Sequence, residues 1–197
     1  MVNRSYANRG MAFEAYIKFA NDRYRQRKIA SIEKLATEFI PLWDPKTKRI
    51  KGAKVEHKSK VDFLGRYRNI PIAFEAKNTF DDNIRFDRVE PHQADYMDEF
   101  TEEPGVIGMV VVSFNLTKFY AIPWAFWQAA YNARVRPGAT RTTPVTVEAF
   151  GQTWEVPCKY SVRMDELNPL WEIPGNHPDY GIHYLANATS YITPPRK

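Results

Sequence analysis

Residues 61–77 read VDFLGRYRNIPIAFEAK and hold two acids and a lysine inside segments that are otherwise apolar. Two short β-strands are predicted on either side of the polar turn at residues 66–69. In an antiparallel pair centred on that turn, Asp62 lies opposite Glu75. Lys77 lies two residues after Glu75, so these two side chains share one face of the strand. The stretch therefore predicts three charged groups at one end of an apolar sheet.

These three groups suggest a particular chemistry. Two adjacent carboxylates repel each other unless a proton or a cation lies between them. Hard oxygen ligands suit Mg²⁺, with Mn²⁺ as a substitute. A bound metal ion lowers the pKa of a water and polarises a phosphodiester, while a lysine orients or deprotonates that water or offsets charge in the transition state. Asp62, Glu75 and Lys77 thus point to phosphodiester hydrolysis; the alternative is a surface hairpin with an ordinary salt bridge.

The rest of the chain predicts an α/β or α+β fold with a mixed sheet between helices, of which we favour α/β. The predicted helices lie at residues 7–28, 31–37, 91–102 and 124–132, and the further strands at 38–43, 106–114 and 118–122. A later hairpin is predicted across Gly151. We expect a nuclease core at residues 1–135. More than half of the chain's 14 prolines follow it, so residues 136–197 are expected to form a C-terminal extension that packs on the core.

The segment at residues 45–60 is strongly basic and contains a single acid, Glu56. We expect it to project as a hairpin or a long loop. Its lysine and arginine side chains suit contacts with DNA phosphates, and such contacts do not depend on the base sequence. The predicted DNA-binding residues of this segment are Lys46, Lys48, Arg49, Lys51, Lys54, Lys58 and Lys60.

Composition excludes several other classes. The chain has 197 residues, a net charge of +5 and 44% hydrophobic residues, as expected of one globular unit of about this size. Its single cysteine, Cys158, cannot form an intramolecular disulfide, and the four histidines lack metal-binding spacing. There is no phosphate-binding G-x4-G-K-[ST] motif, and no nucleotide cofactor is expected. With no signal peptide and no long apolar run, we expect a cytoplasmic protein that does not bind membranes.

Further motifs accompany the charged cluster in a fixed order. They are N-R-G-M-A-F-E at residues 8–14, the basic segment, V-D-F and F-E-A-K, P-H-Q-A-D-Y-M at 91–97, and V-V-V-S-F followed by F-Y-A-I-P. V-D-F with F-E-A-K resembles the PD-(D/E)XK nuclease pattern. The ordered set, over roughly residues 8–128, resembles the RecU-type Holliday junction resolvases within that superfamily.

This resemblance implies a restriction-endonuclease-like mixed sheet flanked by helices, with a basic stalk hairpin. It also implies a Mg²⁺-dependent homodimer that makes paired symmetric nicks in four-way DNA junctions during recombination and repair. Asp62 and Glu75 match the metal ligands of the family, and Lys77 matches its catalytic lysine. Glu14 matches a helix acid that some related nucleases add to the metal site, and Gln93 matches a glutamine beside it. Arg9, in the first motif, is also expected to bind DNA.

Two other functions stay open from the sequence. One is a general or restriction-like PD-(D/E)XK nuclease that acts on duplex or flapped DNA. The other is a non-catalytic junction-binding protein with a vestigial site. Substrate preference distinguishes the first, and Mg²⁺-independent behaviour would support the second.

Overall fold

The computed structural model describes residues 4–134, 144–156 and 158–193. The helices of this part are α1 (Arg4–Gln26), α2 (Pro91–Glu102) and α3 (Trp124–Ala133). The strands are β1 (Ala30–Lys34), β2 (Glu38–Asp44), β3 (Arg49–His57), β4 (Phe63–Tyr67), β5 (Ile70–Thr79), β6 (Asn83–Arg85), β7 (Ile107–Phe114), β8 (Lys118–Pro123), β9 (Val145–Ala149), β10 (Gln152–Val156), β11 (Ser161–Arg163) and β12 (Glu172–Ile173). Within these ranges, no helix combines the length and apolar character that crossing a membrane requires.

A six-stranded sheet forms the centre of the molecule, with the strand order β1-β4-β5-β7-β8-β12. β5 and β7 are parallel, whereas the other neighbouring pairs are antiparallel. α1 packs against β1 and β5, α2 against β5 and β7, and α3 against β7 and β8. The predicted α/β class, a mixed central sheet flanked by helices, is therefore confirmed.

The interior of the sheet is apolar and well filled. β7 is buried at every position, which explains why its sequence IGMVVVSF is a continuous apolar run without alternation. Phe63 and Phe74 stack across β4 and β5 with ring centroids 4.8 Å apart. Each fully buried side chain of this size contributes about 1.5–3 kcal/mol relative to an exposed one. The two strands that carry the charged cluster are thus fixed in place by the core.

The helix predicted over residues 31–37 is wrong, because this segment begins in edge strand β1. Ala30 and Ile32 are buried and the intervening Ser31 is only half-buried, which is the period of a strand. A segment this short contains too few apolar residues to separate the two periods. β1 also approaches β4 closely at Gly65, where an added Cβ would lie 2.2 Å from the Ser31 carbonyl oxygen.

The predicted basic hairpin consists of β2 and β3, which form a separate two-stranded antiparallel sheet. We call residues 38–57 the stalk; it begins before the basic segment itself. Phe39, Trp43 and Ile50 are exposed on it, since a two-stranded ribbon has no second layer to cover them. Five basic side chains of the stalk are also exposed: Lys46, Lys48, Arg49, Lys51 and Lys54.

The later part of the chain adds small elements around the sheet. β9 and β10 form the hairpin predicted across Gly151, whose φ is +70°. β11 pairs with β6, and β12 extends the central sheet beside β8. Trp171 packs on Phe126 of α3, with ring centroids 4.7 Å apart. The division into a core at residues 1–135 and a separate extension stays a prediction.

Candidate active site

The two acids of the quoted stretch meet where β4 and β5 separate. The strand register pairs Phe63 with Phe74, and the next positions outward are Asp62 and Glu75. The Asp62 backbone N–H donates to Glu75 Oε1 at 2.9 Å, and the Ala76 N–H donates to Asp62 Oδ2 at 3.0 Å. Side-chain oxygens therefore replace the backbone ladder at this point. The exchange fixes both carboxylates without using a flexible loop.

Lys77 completes the cluster that the sequence predicts. Its Nζ donates to Glu75 Oε2 at 2.7 Å and lies 3.8 Å from Asp62 Oδ2. The side chain is largely buried, so little water screens these interactions. The structure thus brings Asp62, Glu75 and Lys77 together from two adjacent strands.

Burial changes the proton affinity of Glu75. The side chain is fully buried, and loss of hydration raises its pKa to about 8. The positive charge of Lys77 opposes this rise, whereas the nearby Asp62 carboxylate adds to it. Burial therefore disfavours the ionised form of Glu75, and a second cation beside it would favour that form.

Gln93 connects this cluster to helix α2. Pro91 occupies the first turn of the helix, where its missing N–H costs no hydrogen bond. The buried Gln93 side chain reaches back, and its Oε1 accepts from the Glu90 backbone N–H at 3.0 Å. The same oxygen accepts from Lys77 Nζ at 3.2 Å. The start of α2 and the position of the lysine thus depend on one amide oxygen.

Glu14 lies on α1 and faces the same cleft as Asp62 and Lys77. Its Oε2 forms an ion pair with Lys34 Nζ at the end of β1. In the described part of the chain, no three His, Cys, Asp or Glu residues are close enough together to hold a metal ion. The structure thus places Glu14 on the cleft wall but does not join it to the carboxylate pair.

The cleft has a volume of about 530 Å³ and extends beyond the predicted site residues. Its wall also includes Asn78, Thr79, Phe80, Asp81, Arg88 and Glu90. Residues 78–81 directly follow the E-A-K motif, so their place on the cleft wall could have been predicted by continuing that strand. Nothing in the spacing of Arg88 or Glu90 indicates that they return to the cleft.

The predicted DNA-binding residues fall into two groups. Those of the stalk project from the two-stranded sheet, whereas Lys58 and Lys60, which are also exposed, lie near α2. Lys58 pairs with Glu90 at 2.6 Å, and Lys60 Nζ is 5.8 Å from the centre of the Tyr96 ring. The side chain of Arg9 lies outside the described part, so its role stays a prediction.

A comparison with the sequence models of known families identifies the family of this chain. The sequence model of the family described as Recombination protein U matches residues 8–170. The chain belongs to the RecU family. The resemblance predicted from the ordered motifs is thereby confirmed, and the matched range includes Glu14, Asp62, Glu75, Lys77 and Gln93.

Curated RecU proteins show the extent of this similarity. The chain is 34% identical over 113 residues to the Holliday junction resolvase RecU of Mycoplasmopsis pulmonis, which covers 57% of this chain and 68% of that protein. It is 32% identical over 124 residues to the Streptococcus mutans protein of the same name, covering 60% and 63%. For the Staphylococcus saprophyticus protein of that name, the identity is 25% over 170 residues, covering 84% and 81%. The chain thus spans about two thirds or less of the first two relatives.

Among solved structures, the chain is similar to Archaeoglobus fulgidus Hjc, a Holliday junction resolvase from an archaeal hyperthermophile. The TM-score is 0.38 and the sequence identity is 11%, over 59% of this chain and 74% of the other.

Proposed function

We propose that this RecU-family chain is a divalent-metal-dependent DNA endonuclease that resolves four-way junctions by hydrolysing phosphodiester bonds. The observation that carries the proposal is the convergence of Asp62, Glu75 and Lys77 at the edge of an open cleft. Oxygen ligands beside a fixed ammonium group suit this reaction. The names of the RecU relatives supply the four-way junction as the substrate class.

The carboxylate pair fits a small, hard cation. The Asp62 carboxylate is a quarter exposed and faces the cleft, while Glu75 lies directly behind it. Mg²⁺ is held in many enzymes by one or two carboxylates and retains several waters, so a larger protein cage is unnecessary. When bound, Mg²⁺ or Mn²⁺ supplies an acidified water and polarises the phosphate. We propose that Asp62 and Glu75 hold the ion, with Glu14 as a further ligand once released from Lys34.

The other residues position and stabilise the reacting groups. The ammonium of Lys77 donates hydrogen bonds and offsets negative charge as the phosphorus–oxygen bond forms and breaks. It also orients the attacking water toward the phosphate. Gln93 holds Lys77 through its amide oxygen, so the lysine is fixed before DNA arrives. We propose that Asp62, Glu75 and Lys77 are the catalytic residues, with Gln93 as a positioning residue.

Junction selection requires contacts outside the cleft. The exposed cations of the stalk suit the phosphates of converging DNA arms. Contacts of this kind recognise the charge and shape of the DNA more than its base sequence. We propose that the stalk binds the junction, together with Arg9, Lys58 and Lys60. A two-fold homodimer would place two sites on opposed strands and so make paired symmetric nicks. The enzyme would act on cytoplasmic DNA in homologous recombination and repair.

The test compares an end-labelled four-way junction with a linear duplex of equal length, in Mg²⁺ and in EDTA. The variants are Glu75→Gln and the matched control Glu155→Gln, whose side chain is exposed on β10. We expect symmetric nicks in the junction only, lost with EDTA and with Glu75→Gln but retained in Glu155→Gln. Equal cutting of the duplex would indicate a general nuclease. Junction binding without cleavage under every condition would refute the catalytic proposal.

A further inference from the structure

Arg88 lies on the cleft wall and has no part in the proposed chemistry. It ends the short 3-10 turn Phe86–Arg88 that precedes helix α2. Its Nη2 donates to the backbone carbonyl oxygen of Asn78 at 3.2 Å. Asn78 directly follows Lys77 on β5. The guanidinium is therefore held at the backbone of the residue that follows the candidate catalytic lysine, and both residues line the same cleft although they are eleven positions apart in the sequence.

The charge of Arg88 is available to a ligand. Across the described ranges, no carboxylate forms an ion pair with it. Its neighbour Arg85, in contrast, makes two hydrogen bonds to Asp87, at 2.9 and 2.7 Å. A guanidinium carries five N–H donors in a planar fork. One bond to a backbone carbonyl leaves most of this fork for a partner from outside the chain.

The charges on the cleft wall indicate which partner Arg88 binds there. Carboxylates outnumber cations on its wall: Glu14, Asp62, Asp81 and Glu90 face Lys77 and Arg88. Lys77 is already engaged by Glu75, Asp62 and Gln93. A DNA strand that enters adds further negative charge, which needs a cation beyond the metal ion. Arg88 is the cleft-lining cation that the carboxylate cluster does not engage.

We propose that Arg88 binds a phosphate of the cleaved strand next to the scissile one. Guanidinium and phosphate form paired, charge-assisted hydrogen bonds, which fix direction as well as position. The scissile phosphate lies against Lys77 and the carboxylates, and Arg88 is anchored on the next residue of β5, so it reaches the neighbouring phosphate. Arg88 thereby fixes which phosphodiester lies at the metal. This inference rests on the proposed nuclease function.

The experiment combines protein variants with altered DNA. The nick is first mapped with the unmodified protein on a labelled junction. Junctions are then made with an uncharged methylphosphonate at the phosphate on either side of the nick. Single-turnover cleavage is measured for the wild type, Arg88→Gln, Arg88→Lys and the matched control Arg85→Gln. Melting temperatures of all four proteins report on folding.

We expect Arg88→Gln to cleave roughly 10- to 100-fold more slowly, as misplacement of a reacting group does. One methylphosphonate should slow the wild type similarly and slow Arg88→Gln no further. Arg88→Lys should recover part of the rate, because it keeps the charge but loses the fork. Arg85→Gln should match the wild type in rate and in sensitivity to both substitutions.

Several outcomes would overturn the inference. A wild type that is insensitive to both methylphosphonates contacts neither phosphate, whatever the variants do. If Arg88→Gln is slow but keeps full sensitivity, Arg88 only supports the fold. A wild type that cuts no junction refutes the proposed function instead. Arg88 is then judged by junction affinity in EDTA, where Arg88→Gln must bind more weakly than Arg85→Gln.

Discussion

Glu75→Gln should stabilise the metal-free protein at alkaline pH while abolishing cleavage. Burial raises the pKa of Glu75 from an ordinary 4.5 to about 8. The folded state therefore binds this proton more tightly than the unfolded chain does. As a result, the free energy of unfolding falls as the pH rises from 4.5 to about 8, and the stabilisation is complete only below that window.

The size of the effect follows from one proton. Within the window, each pH unit removes up to about 1.4 kcal/mol. For a chain of this size, 1 kcal/mol shifts the melting temperature by about 2–4 °C. Glutamine has no proton to lose, but its amide nitrogen cannot accept one of the two hydrogen bonds that the Glu75 oxygens accept, which lowers the stability of the variant by a similar amount at every pH. Relative to the wild type, Glu75→Gln should therefore gain about 3.5 kcal/mol between pH 5 and pH 8, which corresponds to roughly 7–14 °C in melting temperature.

The assay is thermal unfolding in EDTA from pH 5 to pH 8.5, with Glu155→Gln as the exposed control. The difference between wild type and Glu75→Gln should widen with pH, and that between wild type and control should not. Added Mg²⁺ should restore the wild type at pH 8 and leave Glu75→Gln unchanged, because the ion takes the place of the proton. Parallel melting curves at every pH would show that Glu75 is not held in a costly ionised state.

Three further predictions use other parts of the structure. Lys77→Met should slow single-turnover cleavage by roughly 10²- to 10³-fold while junction affinity in EDTA is kept; normal cleavage would exclude Lys77 from the chemistry. Gly65→Ala should lower stability to urea by about 1–3 kcal/mol, because its Cβ meets the Ser31 carbonyl at 2.2 Å, whereas Gly10→Ala, with open space around it, should not. Neutralising stalk cations should reduce the slope of log affinity against log salt by about 0.9 for each lost phosphate contact, and an unchanged slope would place the junction elsewhere. The stalk positions to change are Lys46, Lys48, Arg49, Lys51 and Lys54.

Local symmetry made the centre of the site predictable from sequence. Asp62 and Glu75 are equally distant from the polar turn, so an antiparallel pair brings them together. The apolar run of β7 and the Pro91 start of α2 are equally local signals, and both elements form where they were predicted. Such features depend on residues within one hairpin or one helix, and tertiary contacts do not override them.

The remaining features depend on contacts between distant segments. β12 joins the central sheet beside β8 through a two-residue strand, which is too short to leave a periodic pattern. β1 is a strand because β4 offers it a partner at Gly65, although its own residues also allow a helix. Arg88 returns to the cleft through a carbonyl of β5. The sequence near each of these residues does not indicate which distant segment it contacts.

The shared oxygen of Gln93 makes activity an indicator of folding. Fraying of the first turn of α2 would remove the amide that holds Lys77, and local opening of this kind requires far less free energy than global unfolding. A chain whose α2 has not yet docked would therefore keep its carboxylates in place, with Lys77 still bonded to Glu75 but less firmly oriented. Under the proposed function, such an immature enzyme would bind DNA but cleave it more slowly. Full cleavage activity would thus require the first turn of α2 to be formed, so that catalytic rate and local order of this helix would rise together.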